Sequence, residues 1–258
     1  KGKIKGVLEI FHRRHFEPDP DWIEFLTTMA TQAAIAVEDS TMFQQMEQSN
    51  LKLIQAYETT LEGWSRALEM RDQETEGHTQ RVTTWTVKLA QRMGIKEDEI
   101  AHIRRGALLH DIGKVGVPDR ILLKPGPLDE EEWEVMKQHP VAAFKLLITI
   151  PFLRPALDIP QYHHEKWDGN GYPYGLKGEE IPLAARIFAV VDVWDALLSH
   201  RPYREPCTHE ETIEYITRES GTHFDPNVVE SFLELMDDHS SDVYGIPSHT
   251  TDGQSIPN

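Results

Sequence analysis

The chain contains imidazole and carboxylate side chains whose spacing suits the binding of metal ions. Glu74 and His78 are four residues apart, so on a helix they would share one face and could hold one ion together. Two pairs are adjacent in sequence, HD at 110–111 and HH at 163–164. A carboxylate in the apolar run FAVVDVWDALL would need a cation or several hydrogen-bond donors if it were buried. The candidate ligands are Glu74, His78, His110, Asp111, His139, His163, His164 and Asp192.

Each position taken singly also has a plainer interpretation. Glu74 and His78 would suit a solvated pair on an exposed helix face, and Asp192 would suit a structural hydrogen bond. Taken together, the candidates are more than one ion needs. Imidazole and carboxylate without thiolate is the ligand set of iron, manganese or zinc in hydrolytic centres. The set therefore predicts two or three divalent ions, an arrangement suited to phosphoester hydrolysis.

Two neighbouring features are suited to a phosphate-bearing substrate. Lys114 follows Asp111 by three residues, so it can face the same pocket and bind a non-bridging phosphate oxygen, although it could also be a solvated lysine. The stretch DGNGYP at 168–173 includes Gly171, which permits close backbone approach. Tyr172 can stack on a purine or donate to phosphate, with loop packing as the alternative.

Three more charged residues follow the HH pair further along the chain. Asp195 lies one helical turn after Asp192 and shares its face. Arg201 and Arg204, in HRPYR, could grip phosphate or guanine through bidentate hydrogen bonds. Structural salt bridges are the alternative for the two arginines.

The elements that must position these residues are predominantly helical from about residue 71 to residue 239. Capping boxes are predicted at Asp129 with Glu132 and at Thr208 with Glu211, and a third helix is predicted to start at Asp225 and Pro226. A long proline-containing loop is predicted at 114–128. The pattern predicts an all-α bundle, followed by a flexible tail at 241–258.

The N-terminal part has a different organisation. Residues 4–11 predict a β-strand, and a helix that starts near Asp19 or Asp21 is expected to continue unbroken to about residue 70. Apolar residues recur at alternating intervals of three and four along it, at Ile54, Tyr57, Leu61, Trp64 and Leu68. This seam favours a dimerising signalling helix, while the alternative is an amphipathic helix packed on its own domain.

Composition limits the classes of function. The 258 residues have a formal net charge of −17, which disfavours general nucleic-acid binding, and a metal cluster would reverse the field locally for an anionic ligand. One cysteine excludes an intrachain disulfide and fits cytoplasmic chemistry. No stretch is long and apolar enough for a membrane span. We therefore expect a cytoplasmic protein without DNA or membrane contacts.

Two signatures carry a family resemblance. HDIGK at 110–114 and HHEKWDGNGYP at 163–173 resemble those of the HD-GYP family, a branch of the HD-domain phosphohydrolases. RDQETEGHTQRV, DVWDALLSHRPYR and GTHFDP are further similar segments, so the likeness covers roughly residues 65–240. The resemblance implies a helical cyclic di-GMP phosphodiesterase with a di- or trinuclear metal centre. Residues 1–41 resemble the end of a GAF sensor domain, with a helical cap as the alternative.

The resemblance also implies roles for individual residues. Asp111 would bridge two ions, and the histidines after it would complete the second ion. Asp192 would hold the other side. Glu74 and His78 match positions that help to hold a third ion in some family members, so the resemblance favours a trinuclear site. Asp195 would contact the bridging water or the substrate, and a role in proton handling follows.

The whole chain is thus predicted to have four parts. These are a GAF-like remnant (1–41), a linker helix that dimerises (42–70), an HD-GYP phosphodiesterase domain (71–240) and the tail. Cyclic di-GMP would be opened to pGpG, and onward hydrolysis to GMP is left open. A cyclic-dinucleotide receptor without turnover and a phosphodiesterase for cyclic GMP-AMP are the alternatives. Iron or manganese is the expected metal, with zinc or nickel also compatible.

Overall fold

The computed structural model describes residues 4–72, 77–199 and 205–238, and these residues form an all-α structure. Three short 3-10 helices lie between the α-helices, at Ile112–Gly116, Pro151–Ala156 and Gly178–Glu180. The α-helices of the described residues are α1 (Pro20–Asp72), α2 (His78–Arg92), α3 (Glu97–Leu108), α4 (Asp119–Leu122), α5 (Glu130–Met136), α6 (His139–Leu147), α7 (Asp158–Tyr162), α8 (Leu183–Leu198), α9 (His209–Arg218) and α10 (Pro226–Asp238). The predicted all-α class is confirmed.

Local sequence signals explain where several helices begin. Asp129 and Thr208 each accept a hydrogen bond from the backbone N–H three residues on and form the predicted capping boxes. α10 begins at Pro226, as predicted. The Asp19 carboxylate accepts from the backbone N–H of Trp22, at 2.8 Å, and so caps α1.

Two expectations about local structure are wrong. Residues 4–11 form no strand, because a lone strand needs a partner edge for its backbone groups and no described segment supplies one. The predicted loop at 114–128 contains the end of the Ile112–Gly116 3-10 helix and all of α4. Pro118 precedes α4 as its N-cap, so this proline starts a helix instead of excluding one.

The chain divides into two compact units, Lys1–Thr60 and Leu61–Asn258. In the first unit, the described residues before α1 lack regular structure, and Lys5 forms an ion pair with Glu38, at 3.0 Å. The rings of Phe16 and Trp22 meet edge to face. Most large apolar side chains of this unit are exposed.

The last part of α1 belongs to the second unit. Leu61, Ser65 and Leu68 are buried there, whereas Trp64 is 41% exposed. The C-terminal half of the predicted apolar seam therefore packs against its own domain, which was the alternative interpretation. No helix among the described residues combines the length and the apolar character that crossing a bilayer requires.

The second unit contains two apolar clusters that position the candidate ligands. The larger joins α2, α3, α8, α9 and α10, with Phe188 and Phe232 completely buried. The smaller joins Leu61 of α1 to the end of α3, the 3-10 helix that follows it and α6. Of the candidate ligands that the structure describes, six lie at or near the ends of the elements that these clusters hold together, and Asp192 lies within α8.

Candidate metal centre

Four of the candidate ligands converge at the ends of three helical elements. Asp111 lies immediately before the Ile112–Gly116 3-10 helix, and His139 is the first residue of α6. His163 and His164 follow directly after α7. Each of the four offers a ligand atom, and these atoms lie within 4.8 Å of one another. We name this group the Asp111 cluster.

A glycine makes this convergence possible. A Cβ atom on Gly113 would lie 1.8 Å from the carbonyl oxygen of His139 and 2.7 Å from the backbone nitrogen of Ala143. Only glycine therefore allows the 3-10 helix to lie against the first turn of α6. The glycine of HDIGK thus brings His139 to the side of Asp111.

A second group contains His78, His110 and Asp192, whose ligand atoms also lie within 4.8 Å of one another. Nε2 of His78 is 3.3 Å from Oδ1 of Asp192. His110 also approaches the first group, since its Nε2 is 3.1 Å from Oδ2 of Asp111. We name the group of His78, His110 and Asp192 the His78 cluster. Of the eight predicted ligands, the structure brings seven into two adjoining clusters.

Backbone carbonyls determine which imidazole nitrogen carries the hydrogen. Nδ1 of His110 lies 2.8 Å from the oxygen of Ala107, and Nδ1 of His163 lies 3.0 Å from that of Ile159. His139 makes the same contact with a carbonyl oxygen of α5. A carbonyl only accepts, so Nδ1 must donate and a neutral ring then presents a lone pair at Nε2.

The charge state of the Asp111 cluster follows from burial and its neighbours. Burial lowers the pKa of His163, and burial together with the adjacent imidazoles lowers the pKa of His164 well below its usual value. Burial acts to raise the pKa of Asp111, but Lys114 and His110 outweigh it and hold that pKa well below its usual range. At neutral pH Asp111 is therefore a carboxylate, and His163 and His164 in the same cluster are neutral imidazoles.

One oxygen shows that the cluster suits a cation. Oδ1 of Asp111 is buried and accepts no hydrogen bond from any described residue. It lies 3.2 Å from Nε2 of His139 and 3.7 Å from Nε2 of His163, and those two nitrogens are 3.4 Å apart. Acceptors that face acceptors in a buried place require a positive charge between them. The donor set therefore fits a divalent metal.

Asp195 contacts a candidate ligand instead of the centre of either cluster. Its Oδ2 lies 2.7 Å from Nδ1 of His78, and Arg81 binds both of its oxygens, at 2.7 and 2.9 Å. Burial acts to raise the pKa of Asp195, and the hydrogen bonds from His78 and Arg81 outweigh it, so the pKa is lowered. These are the contacts of a carboxylate that orients a metal ligand. Its catalytic role stays a prediction.

Lys114 lies at the edge of the Asp111 cluster, where its spacing indicated. Its Nζ is 2.7 Å from Oδ2 of Asp111 and 3.4 Å from Oδ2 of Asp72. Asp72 and Arg81 were not among the sequence candidates. The signal for Arg81 was available, since it follows His78 by three residues and so shares its helix face.

The glycine-containing loop places an aromatic ring on the candidate ligand His164. The ring of Tyr172 stacks on that of His164, with centroids 4.6 Å apart, and its backbone N–H donates to the His164 carbonyl. A Cβ atom on Gly171 would lie 2.3 Å from the nitrogen of Lys166 and 2.5 Å from Cα of Glu165, so only glycine fits.

Glu165, which the sequence left without a role, holds this loop together. Its carboxylate is buried and accepts from the backbone N–H groups of Tyr174 and Leu176, at 2.8 and 3.0 Å. Trp133 of α5 meets Tyr172 edge to face, at 6.3 Å, and is 44% exposed. The ring series from His164 through Tyr172 to Trp133 therefore leads from the ligands to the surface.

Three predicted site residues lie outside the described residues. These are Glu74, Arg201 and Arg204. The tail predicted at 241–258 lies outside them as well.

An all-α bundle that gathers candidate histidine and aspartate ligands into two adjoining clusters defines a class, the HD-domain proteins. Residues 63–228 match the HD domain family. The chain therefore belongs to that family, and its HDIGK and GYP signatures place it in the HD-GYP branch.

Individual relatives agree with this placement. The chain is 48% identical over 178 residues to a cyclic di-GMP phosphodiesterase of Thermotoga maritima, a match covering 68% of this chain and 48% of that protein. It is 42% identical to the 3'3'-cGAMP-specific phosphodiesterase 2 of Vibrio cholerae, covering 67% of this chain and 34% of that protein. The chain thus spans about half or less of the length of these curated relatives.

Solved structures support the fold. A cyclic GMP-AMP specific phosphodiesterase of Vibrio cholerae superposes with a TM-score of 0.54 and 20% identity, over 73% of this chain and 53% of that one. An HD-GYP-type protein of Bdellovibrio bacteriovorus gives a TM-score of 0.50 and 20% identity, over 62% and 51% of the two chains.

Proposed function

We propose that this chain is a metal-dependent phosphodiesterase that opens cyclic di-GMP to pGpG and continues to GMP. The observation that carries the proposal is the unsatisfied Oδ1 of Asp111, which faces the lone pairs of buried imidazoles beside the ammonium of Lys114. A centre of this kind binds divalent ions next to a cation that can hold phosphate. The name of the Thermotoga relative supplies the substrate class.

Two or three divalent ions would occupy the centre, iron or manganese in preference to zinc or nickel. The Asp111 cluster would hold one ion and the His78 cluster another, with Asp111 between them. Glu74 would contribute to a third. Bound divalent ions polarise phosphoryl oxygens and lower the pKa of water, which is the chemistry that phosphodiester hydrolysis requires.

The chain's own residues would bind and orient the substrate. Lys114 would hold a non-bridging phosphate oxygen and stabilise the charge that develops on it. Tyr172 would stack on a guanine and Gly171 would let the backbone approach the nucleotide. Arg201 and Arg204 would bind phosphate or guanine, and these two remain predictions from sequence.

The alternative substrate is 3'3'-cGAMP. It is favoured by the 42% identity to a phosphodiesterase of Vibrio cholerae that is named as specific for it. Both ligands are cyclic dinucleotides with two phosphates, and they differ in one purine. The choice would depend on the groups that contact that base, because the phosphate chemistry is the same.

A product assay tests the proposal and separates the alternatives. Anaerobically purified protein of measured metal content is incubated with cyclic di-GMP or 3'3'-cGAMP, and linear products are resolved by chromatography. We expect pGpG and then GMP from cyclic di-GMP, and no product from H110A or D111A. Tight binding without any product would show a receptor, and full activity in D111A would contradict the metal assignment.

We further propose that the chain acts in the cytoplasm as a dimer formed through residues 42–70 of α1, without contacts to DNA or membrane, and downstream of a GAF-like sensor. Exposed Ile54 and Tyr57 support the dimer interface. Truncation should begin at Leu61, because Leu61 and Leu68 are buried in the second unit. Light scattering should show a dimer for the whole chain and a monomer for the truncated chain, and an unchanged dimer would exclude the part of α1 before Leu61.

A further inference from the structure

The C-terminal end of α1 is bound to the segment that carries Lys114. The Arg71 guanidinium donates from Nη1 to the carbonyl oxygens of Lys114 and Val115, both at 2.9 Å. Nη2 donates to the carbonyl oxygen of Val117, at 2.7 Å, and to Oδ1 of Asp119, at 2.8 Å. One side chain thus binds three backbone carbonyl groups within residues 114–117.

The carbonyl of Lys114 already accepts from the backbone N–H of Val117, and Arg71 adds a second hydrogen bond to it. The last carbonyl groups of a helix accept no hydrogen bond from within that helix. The Ile112–Gly116 3-10 helix ends among the residues whose carbonyl groups Arg71 binds. A cation at a helix C-terminus is also favoured by the direction of the peptide dipoles. A guanidinium offers five N–H donors in a fixed planar fork, which suits several neighbouring carbonyls better than the three rotatable donors of an ammonium.

Asp72, the residue after Arg71, contacts the side-chain ammonium of Lys114. Oδ2 of Asp72 lies 3.4 Å from Lys114 Nζ, and the Asp72 side chain is only 3% exposed. The ammonium therefore lies between Asp72 and the metal-cluster residue Asp111. The last turn of α1 contacts both the main chain and the charged end of Lys114.

We propose that Arg71 is a positioning residue for Lys114, acting with Asp72, so that the placement of the last turn of α1 sets the placement of the phosphate-binding ammonium. Leu61 of the same helix packs with Ile112, the first residue of the 3-10 helix, in one apolar cluster. The helix end and the Lys114 segment are thus joined by apolar packing as well as by hydrogen bonds.

The chain offers a matched control for this role. Arg104 of α3 forms an ion pair with Glu62 of α1, at 2.8 Å. This contact also joins α1 to the domain, and it does not involve the Lys114 segment. A purely structural contribution of α1 to the domain should therefore be lost in R104Q as well as in R71Q.

The first measurement does not depend on the proposed function. Metal-loaded wild type, R71Q, R71K and R104Q are labelled by reductive methylation, and peptide mass spectrometry follows Lys114, with Lys137 as the internal reference. We expect Lys114 to react about threefold faster or more in R71Q, because its held position opens locally. R104Q should match wild type and R71K should lie between. Equal labelling of Lys114 in all four proteins would overturn the proposal.

The second measurement rests on the proposed function. In R71Q we expect kcat to fall by about tenfold to a hundredfold, as a misplaced catalytic group requires, with metal content unchanged. KM should stay within about twofold, because the lost interaction belongs to the transition state. In a K114A background the same substitution should change kcat by less than about twofold.

The outcomes separate the two claims. Equal losses of kcat in R71Q and R104Q would show that Arg71 is structural only. The same conclusion would follow if the effects of R71Q and K114A on kcat were additive in the double variant. If the wild type hydrolyses no cyclic dinucleotide, the proposed function fails and the labelling result still decides the role of Arg71. If R71Q does not fold, the milder R71K supports both measurements.

Discussion

Nδ1 of His78 lies 2.7 Å from Oδ2 of Asp195, and this contact directs the other ring nitrogen of His78 toward Asp192, 3.3 Å away. A carboxylate only accepts when ionised, so the Nδ1 atom of His78 must carry the hydrogen. Arg81 holds Asp195 through two hydrogen bonds. Asp195 and Arg81, which lie outside the His78 cluster, therefore determine that Nε2 of His78 offers the lone pair that would bind a metal.

The first prediction concerns this orienting carboxylate. D195N should weaken the metal that the His78 cluster holds by about tenfold to a hundredfold, since outer carboxylates orient histidine ligands. The Asp111 cluster should keep its ion. Metal titration by calorimetry, with stoichiometry from elemental analysis, measures both. D225N is the control, because Asp225 is equally buried but pairs with Arg186. Equal metal affinity in D195N and wild type would contradict the orienting role.

The second prediction concerns removal of metal. Chelation should lower the melting temperature, because the buried acceptors around Asp111 then lose the charge that satisfies them. Manganese at about a hundred times its Kd should restore about 2.7 kcal/mol of stability. The H139A variant should show little of this difference in melting temperature between the metal-bound and chelated forms. Differential scanning calorimetry with and without chelator measures it, and equal melting of both forms would argue against a buried ion.

The third prediction concerns the loop glycine. G171A should lower the free energy of unfolding by about 1–3 kcal/mol, since its Cβ would overlap the backbone of Glu165 and Lys166. It should also move Tyr172 off His164 and reduce activity. G63A is the control, because a Cβ at Gly63 meets nothing within 4 Å and the residue lies within α1. Urea unfolding should show G63A as stable as wild type or more so, and equal stability of G171A would contradict the close approach.

The fourth prediction concerns the exposed end of the ring series. W133A should raise the KM for a cyclic dinucleotide about fivefold to a hundredfold if Trp133 stacks on a base, with kcat little changed. Trp64, which is similarly exposed but lies on α1, provides the control variant W64A. Quenching of tryptophan fluorescence by the dinucleotide should be smaller in W133F than in wild type. Identical KM values for W133A and W64A would remove Trp133 from the substrate site.

The fifth prediction concerns stability in acid. Burial, helped by Lys166, lowers the pKa of His223 to about 4, whereas an unfolded histidine titrates near about 6.5. The unfolded state therefore binds more protons between these values, and stability present above pH about 6.5 is lost as pH falls toward about 4.

His223 can be tested by comparison with its neutral analogue. H223Q should lose less stability than wild type between pH 7 and pH 5, by about 1–2 kcal/mol. Urea midpoints at several pH values, under the same metal conditions for both proteins, measure the difference. Parallel pH profiles would show that His223 is not buried in its neutral form.

The helical class and most of the ligand set could be predicted because both depend on local patterns. Capping at Asp129 and Thr208 involves residues three apart, and the HDIGK and HH motifs need no knowledge of the distant chain. The strand at residues 4–11 was predicted wrongly because strands depend on partners that are remote in sequence. The role of the apolar seam in α1 was also ambiguous from sequence, because only the packing shows whether such a face contacts the domain core or a second chain.

The sequence by itself determined which side chains are available as ligands, because imidazole and carboxylate chemistry belongs to residue type. It also indicated Lys114 as a candidate phosphate-binding residue through its spacing from Asp111. Only the tertiary structure decided that Asp195 orients His78 and that Arg71 holds the Lys114 segment, since these pairs are separated by 117 and 43 residues. Hydrogen bonds at such separations are set by how the helices pack, and packing is a property of the whole core.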